Sequence, residues 1–381
     1  MPWKAQTPMS QRQAFIERAM DDNVNMSQLC REFGISRKTG YKWLERYQQA
    51  GDDGLQEQSR RPHHSPNQTA PQIESLIVAA RQQHPTWGAR KLHAWLTQQG
   101  HHNLPVASTI TAILDRHGLL NPEESLKHRP YQRFEREQAN QLWQMDFKGE
   151  FKLATQQTCY PLTILDDHSR FALGLFACPN TAGMTIKPHL LTVFAQYGLP
   201  DAFLMDNGAP WGNGHAPYTQ FSVWLMRLGI QVLHGRAYHP QTQGKIERFH
   251  RTLKSDLLQQ HDWLDFDHCQ QHFNQWRQLY NTQRPHEALD QQPPHTQYVN
   301  SLRPYPEHLP EITYPDGIPT RKVNTQGRIS FQGRLCPVGG AFTGLTVAVY
   351  ANERNHALFD VYFARTRIAK LDFNSIKYPL S

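Results

Sequence analysis

Three acidic residues occupy positions in which a carboxylate could take part in chemistry. Asp146 lies in an apolar, aromatic segment, Asp206 directly follows the apolar run 202–205, and Glu247 lies on an amphipathic helical pattern. A charge within a core strand is costly unless it is paired or binds a metal. Because oxygen ligands suit Mg²⁺ or Mn²⁺ rather than Zn²⁺, these carboxylates are candidate metal ligands. Two such ions would stabilise the attacking and the leaving oxygen of an in-line displacement at phosphorus.

Basic residues surround the third acid. Apolar residues recur at helical spacing after Gly244, which predicts a helix with one buried face. Lys254 follows Glu247 by nearly two turns and should share its face. The residues predicted here to contact a DNA backbone are Lys245, Arg248, Arg251 and Lys254, and Arg236 adds to their charge. A solvated helix face with ordinary i, i+4 pairs would show the same pattern.

The elements around these acids predict a mixed α/β sheet. Strand patterns occur at 142–151, 159–166, 171–177, 202–205 and 230–233, and helices are predicted at 185–197, 219–228 and 267–280. Asp206 would then lie at the carboxyl end of a strand, where such sheets place their ligands. Asp166 and Asp167 also end a strand, but they begin a hairpin turn, so turn formation is their expected role. Asp256 should project from the face opposite Glu247.

The first 50 residues carry three helical patterns. Asn25 is placed to cap the second helix with Gln28 at the N3 position, as in a capping box, and Ser36 is placed to cap the third. The last two helices and the turn at Gly34 make a helix-turn-helix, whose final helix begins in the major groove. The predicted DNA contacts are Ser36, Arg37, Lys38, Thr39, Tyr41 and Lys42. A small helical bundle with no nucleic-acid role would show the same three helices.

Changes in composition, and stretches rich in Pro, Gly or polar residues, divide the chain further. The predicted segments are a first helix-turn-helix domain (1–55), a linker (56–70), a second helix-turn-helix domain (71–120), a basic linker (121–138), an α/β domain (139–300), a Pro-rich connector (301–319) and a small all-β barrel (320–381). Arg60 and Arg61 in the first linker fit either a basic arm in a minor groove or a polar tether.

Bulk properties favour a polyanionic partner. The 381 residues carry a formal charge of +7, which favours association with nucleic acid. The five cysteines are far apart and form no C-x-x-C pair, which argues against a disulfide framework and a Cys-based zinc site. The start of the chain lacks the apolar core of a signal peptide, and no run reaches the ~18 apolar residues of a membrane span. We therefore expect a cytoplasmic protein with no membrane partner.

Several motifs together resemble one family. They are Trp143-Gln-Met-Asp146-Phe-Lys-Gly149, Asp206-Asn-Gly208, His239-Pro-Gln-Thr-Gln-Gly-Lys-Ile-Glu247-Arg with Lys254, Tyr280-Asn-x-x-Arg284-Pro-His286, and Cys30-Arg-Glu-Phe-Gly-Ile-Ser-Arg-Lys-Thr-Gly40. The sequence resembles a DDE transposase of a bacterial insertion sequence, within the retroviral integrase-like superfamily that has an RNase H-like catalytic core. The separation of Asp206 from Glu247 is longer than is common there, and the loop from Trp211 to Thr219 accounts for the excess.

The resemblance implies a function as well as a fold. Asp146, Asp206 and Glu247 would bind two Mg²⁺ ions, with Mn²⁺ as a substitute, and Lys254 would contact donor-end DNA. The expected activity is cleavage of double-stranded DNA at the element's ends and transfer of the exposed 3′-hydroxyl to target DNA. The resemblance also implies that the helix-turn-helix units read the terminal inverted repeats and that a dimer or tetramer pairs the ends. We therefore expect the protein to associate with the bacterial nucleoid. The alternatives are a catalytically silent DNA-binding regulator derived from a transposase and a plain RNase H-like nuclease.

Overall fold

A computed structural model describes residues 7–57, 68–120, 136–206, 208–212, 218–234, 244–352 and 355–373. The chain divides into two compact units, Met1–Gln68 and Thr69–Ser381. The basic linker up to residue 135 lies outside the described residues, as do Arg60, Arg61, Arg236 and His239. Within the described ranges, no helix is both long enough and apolar enough to cross a bilayer.

The first unit is the predicted three-helix arrangement. Its helices are α1 (Pro8–Ala19), α2 (Met26–Glu32) and α3 (Arg37–Ala50), followed by a 3₁₀ turn at Gly51–Leu55. Asn25 caps α2 and Ser36 caps α3, as predicted. The capping-box prediction for Gln28 was wrong, because its amide donates to Glu32 (3.2 Å) one turn further on. The helices pack so closely that a Cβ added at Gly40 would lie 2.6 Å from the Sγ of Cys30.

The second unit begins with three more helices. They are α4 (Pro71–Gln83), α5 (Ala89–Gln98) and α6 (Ala107–Arg116). Their facing sides enclose a small core of Ile77, Trp87, Leu92, Leu96, Ile110, Ile113 and Leu114. The helices predicted from the apolar spacing at residues 71–120 are confirmed.

A mixed sheet follows, as predicted. Its strands are β1 (Trp143–Phe147), β2 (Phe151–Lys152), β3 (Thr158–Asp166), β4 (Ala172–Cys178), β5 (Ala202–Met205) and β6 (Gln231–His234). The order is β2-β3-β1-β5-β6, with β4 on the free side of β3. Strands β1, β3 and β4 form an antiparallel meander, whereas β5 and β6 run parallel to β1. The single strand predicted for 142–151 is two strands, because the chain turns at Gly149, whose φ is +91°.

Helices cover both faces of this sheet. They are α7 (Gly183–Tyr197), α8 (Gln220–Arg227), α9 (Gly244–Leu253) and α10 (Phe266–Thr282), and a π-helical turn at Lys254–Leu258 extends α9. On one face α7 and α8 pack against β1 and β5 through Phe194, Trp143 and Phe203. On the other face α9 and α10 pack against β3 and β4. A long apolar run in β3 is thus buried on both sides, as expected for a central strand.

The C-terminal strands do not close into the predicted barrel. They are β7 (Thr320–Lys322), β8 (Arg328–Phe331), β9 (Arg334–Pro337), β10 (Thr346–Asn352), β11 (Asn355–Phe363) and β12 (Thr366–Asp372). Within the described residues β12-β11-β10-β7 form an open sheet, and β8 and β9 form a separate hairpin. Alternating polarity predicts that a strand has one buried face, but it does not determine which edges pair.

The apolar side of the C-terminal strands joins the core of the α/β sheet. Phe342 and Val361 belong to the same buried cluster as Trp143. The Tyr218 hydroxyl, next to α8, also donates to the Arg367 carbonyl (3.2 Å). The predicted connector is attached to the sheet as well, since the Arg303 guanidinium donates to the carbonyls of Pro200 (2.6 Å), Leu228 (3.1 Å) and Gly229 (3.1 Å).

A shared core predicts that the α/β and C-terminal parts unfold together. Leu371→Ala should lower the free energy of unfolding by about 2–5 kcal/mol, because Leu371 is 3% exposed within that core. The control is Leu302→Ala at a side chain that is 98% exposed, where we expect a change below ~0.5 kcal/mol. Urea unfolding followed by near-ultraviolet circular dichroism measures both. A separate early transition that alone responds to Leu371→Ala would contradict the shared core.

Candidate active site

The pairing of β1 with β5 places two of the predicted acids side by side. The parallel register matches Trp143 with Phe203 and Gln144 with Leu204. Continued by two residues along both strands, this register makes Asp146 level with Asp206 at the carboxyl ends of the strands. Both residues are half-buried. The sheet edge predicted to hold a ligand therefore carries both aspartates.

Helix α9 brings the third acid to the same edge. Its apolar face is anchored by Phe249, whose ring meets Tyr280 at 5.0 Å and Trp276 at 5.5 Å between centroids. Glu247 lies in the first turn of α9 and is exposed. A carboxylate is favourable there, because the N-terminus of a helix carries partial positive charge.

The other two acids both affect the electrostatics of Asp146. Burial, followed by the negative charges of Asp206 and Glu247, raises the pKa of Asp146 to about 6. The N–H of Phe147, which donates to Asp146 Oδ1 (2.8 Å), and the charge of Lys148 oppose this rise. Residues separated by about a hundred positions thus share one electrostatic environment.

A histidine one turn after Glu247 lies against Asp146. The Nδ1 of His250 is 3.8 Å from Asp146 Oδ2. Burial, followed by the charge of Lys148, lowers the pKa of His250 to about 3. The imidazole is therefore neutral, and the contact is not an ion pair. Its Nε2 meets the Thr163 hydroxyl (2.7 Å), which donates to the carbonyl of Asp146 (2.8 Å), so this hydroxyl links α9 to β1 through β3.

The backbone near Asp206 turns back onto its carboxylate. The N–H of Gly208 donates to Asp206 Oδ1 (3.0 Å), and the Nδ1 of His234 bonds the Asp206 carbonyl (2.9 Å). A Cβ at Gly208 would lie 3.2 Å from Asp206 Oδ2 and would crowd it. Asn207, the middle residue of the predicted motif, lies outside the described residues.

The donor chemistry of the three acids suits a hard divalent cation. Within the described residues, Asp146, Asp206 and Glu247 form no ion pair with Lys or Arg, so their charges are not neutralised by a protein cation. Nor does any group of three His, Cys, Asp or Glu side chains there have ready-made metal-binding geometry. The acids thus supply ligands of the right type at one edge of the sheet.

The predicted DNA contacts fall into two classes. In the first unit Ser36, Arg37, Lys38, Tyr41 and Lys42 are exposed at the start of α3, whereas Thr39 is half-buried and bonds Ser36 as part of the cap. In the second unit Arg248, Arg251 and Lys254 are exposed on α9 and the π-helical turn that follows it. The Lys245 side chain, in contrast, is only 15% exposed, and its ammonium binds the Asp167 carboxylate (2.5 Å).

The rival acids have structural partners. Asp166 closes the predicted turn, since its Oδ1 accepts from the Ser169 amide (2.8 Å) and hydroxyl (2.6 Å). Asp256 points away from the site and binds Arg284 (3.0 Å) and Thr86 (2.6 Å). Turn formation is an incomplete account of Asp167, because its carboxylate binds Lys245 of α9. The sequence offers no signal for that pair, whose members are 78 positions apart.

Family comparisons agree with this geometry. Models of the integrase core domain match residues 136–240 and 228–294. A helix-turn-helix domain matches 11–63, a homeodomain-like domain matches 39–114, and the C-terminal domain of IS481 family transposases matches 318–378. The integrase core models and the transposase C-terminal model together match the order of domains expected of a DDE transposase of the retroviral integrase-like superfamily.

Individual relatives are distant. The chain is 25% identical over 231 residues to a 31.7 kDa protein of insertion element IS407 from Burkholderia multivorans, an alignment that covers 58% of this chain and 80% of that protein. It is 25% identical over 173 residues to a 39.2 kDa protein of insertion element IS476 from Xanthomonas euvesicatoria, covering 44% of this chain and about half of that relative (48%). The magnesium complex of the HTLV-2 integrase catalytic core domain has 15% identity and a TM-score of 0.34, covering 43% and 99% of the two chains.

Burial of the Asp146 charge, together with repulsion from Asp206 and Glu247, predicts that removing this charge stabilises the metal-free protein. Asp146→Asn should raise the free energy of unfolding by about 1–2 kcal/mol at pH 7.5 in EDTA, since the amide keeps the bond from Phe147 but not the charge. The control is Asp201→Asn, at a carboxylate that is 64% exposed and binds Arg303, where little change is expected. Urea denaturation measures both. Destabilisation by Asp146→Asn would show that the carboxylates do not repel one another.

Proposed function

We propose that this chain is a transposase that cuts double-stranded DNA at the ends of an insertion element and joins the exposed 3′-hydroxyl to target DNA. The observation that carries the proposal is the convergence of Asp146, Asp206 and Glu247 at the carboxyl edge of a mixed sheet. When bound there, two Mg²⁺ or Mn²⁺ ions would activate the attacking oxygen and stabilise the leaving oxygen. Ligands from two strands and a helix would fix the positions of both oxygens.

The remaining residues serve to bind DNA. The exposed cations Arg248, Arg251 and Lys254 follow Glu247 on the same stretch of helix and would hold phosphates beside the carboxylates. The start of α3 would read the terminal inverted repeats in the major groove, and Arg60 and Arg61 would follow as a minor-groove arm. Cutting and joining two ends together requires a dimer or tetramer, acting in the bacterial cytoplasm on nucleoid DNA.

The activity test uses the full chain and labelled duplexes from the DNA that flanks its gene. We expect Mg²⁺- or Mn²⁺-dependent cleavage and strand joining. Glu247→Gln should reduce both by at least ~10²-fold with DNA binding retained, because loss of an outer partner alone costs about 10–100-fold at metal sites. The control, Glu307→Gln, makes the same change at an exposed position away from the site. Tight binding without products from the wild type in either metal would favour the silent DNA-binding regulator.

The same protein allows a metal-binding test that does not depend on activity. Mn²⁺ at about a hundred times its dissociation constant should raise the free energy of unfolding by about 2.7 kcal/mol. Asp146→Asn should lose most of this increment, because it removes a ligand. Differential scanning calorimetry at fixed pH measures the increment, and Asp201→Asn should keep it. An equal increment in Asp146→Asn and the wild type would place the bound ion elsewhere.

Recognition by the first unit has a separate measurement. Arg37→Ala should weaken binding to the element's end, and the slope of log K against log salt should fall by ~0.9 if one phosphate contact is lost. Arg18→Ala is the matched control in the same unit, because its guanidinium is held by Glu32. Fluorescence anisotropy at several salt concentrations gives both slopes. Equal effects of the two variants would assign recognition to another part of the chain.

A further inference from the structure

A buried polar cluster joins the helix of Glu247 to the strand of Asp146. It consists of Gln144 on β1, Asp167 after β3 and Lys245 in the first turn of α9, and we call it the Asp167 cluster. Gln144 is 1% exposed and Asp167 is 4% exposed. Gln144 lies two residues before Asp146, and Lys245 lies two residues before Glu247.

The bonds within the cluster are directional. The Gln144 amide donates through Nε2 to Asp167 Oδ1 (2.8 Å), and its Oε1 accepts from the N–H of Ile246 (3.2 Å). The Lys245 ammonium donates to Asp167 Oδ2 (2.5 Å) and to the Asp167 carbonyl (3.1 Å). The N–H of Arg136 donates to the same Oδ2 (3.0 Å). One carboxylate thus receives bonds from a strand, a helix and the segment that leads into the sheet.

Gln144 acts as a helix cap supplied by another element. The first N–H groups of a helix have no partner within it, and the Ile246 N–H finds one on β1. Ile246, whose N–H is held by this bond, directly precedes Glu247. Apolar packing of α9 is non-directional and permits sliding or rotation, whereas these bonds define where its first turn lies relative to Asp146.

Stability alone is a poor reason for such a cluster. A buried ion pair recovers little more than the cost of removing its charges from water, and apolar residues of similar volume often serve as well. The like charges of Glu247 and Asp146 also repel, which favours an outward movement of the first turn of α9 in the absence of a cation. Bonds from Gln144 and Asp167 oppose that displacement.

We infer that Gln144, Asp167 and Lys245 are positioning residues that hold Glu247 against Asp146 for the proposed chemistry. This inference rests on the proposed function, and it gives Lys245 an intramolecular role in place of the DNA contact expected from the sequence. Loss of the cluster should let the start of α9 move, so that Glu247 binds a cation shared with Asp146 less tightly.

A paired substitution separates positioning from stability. Lys245→Met or Asp167→Asn alone leaves one buried charge without its partner and should lower the urea midpoint. The double variant removes both charges and should recover most of that midpoint, although α9 is no longer tied to Asp167. Gln144→Met removes the cap without changing any charge. Leu371→Ala serves as a control that is destabilised in a distant sheet.

Three measurements on the full chain test whether the Asp167 cluster positions Glu247. In the double variant and in Gln144→Met, hydrogen exchange of residues 244–250 should accelerate by ~10-fold or more, which reports opening of the first turn. The Mn²⁺ dissociation constant, from the electron paramagnetic resonance signal of free Mn²⁺, should rise by ~10–100-fold. DNA affinity should stay within about twofold of the wild type, and Leu371→Ala should change none of the three.

The outcomes separate this inference from the proposed function. If hydrogen exchange and Mn²⁺ affinity are the same in the double variant as in the wild type, the positioning role is overturned. This holds even if the wild type cuts and joins DNA. Weakened DNA binding with unchanged Mn²⁺ affinity would overturn it as well and make Lys245 a DNA contact. A wild type without cleavage products refutes the proposed chemistry, while hydrogen exchange still tests whether the cluster holds α9.

Discussion

Like-charge repulsion at the sheet edge is the constraint on which the arrangement of this protein depends. Asp146 and Asp206 end adjacent parallel strands, and the charge of Glu247 reaches Asp146 from α9. Each acid alone would be more stable in water or beside a basic partner. The chain instead keeps cations such as Arg251 and Lys254 exposed on α9 and on the π-helical turn after it.

The hydrophobic core withstands this repulsion by fixing the supporting elements from both sides. Helices α7 and α8 cover one face of the sheet, and α9 and α10 cover the other. The contact of Phe249 with Tyr280 and Trp276 anchors α9 within a few residues of Glu247. Directional bonds through Thr163 and Gln144 then fix orientation that packing leaves undetermined. Packing supplies most of the stability, and a small number of buried hydrogen bonds supply the geometry.

Periodicity in the sequence was enough to predict most elements and the mixed sheet. Helices α3 and α9 and strand β5 follow from local patterns, since apolar spacing and caps act within a few residues. The parallel pairing of β1 with β5 was not predicted, because register between distant strands is not encoded locally. Three structural predictions failed: the side-chain partner of Gln28, the single strand at 142–151, and the edge pairing that would have closed the C-terminal strands.

The residues of the candidate site were likewise predictable from the sequence only in part. Asp146, Asp206 and Glu247 could be selected from residue type and element position, and the structure places their charges together. The partnership of Lys245 with Asp167 could not, because a basic residue before Glu247 has the same appearance whether it faces DNA or a buried carboxylate. Only the three-dimensional path of the chain after β3 distinguishes these two environments.

The core shared between the α/β sheet and the C-terminal strands has a consequence for shortened copies of the gene. A product that ends before residue 318 would lack Phe342 and Val361 and would leave the apolar surface around Trp224 in water. A fragment with such a surface is a target for proteases. Truncation from this side of the gene therefore favours loss of the protein over a stable shorter form.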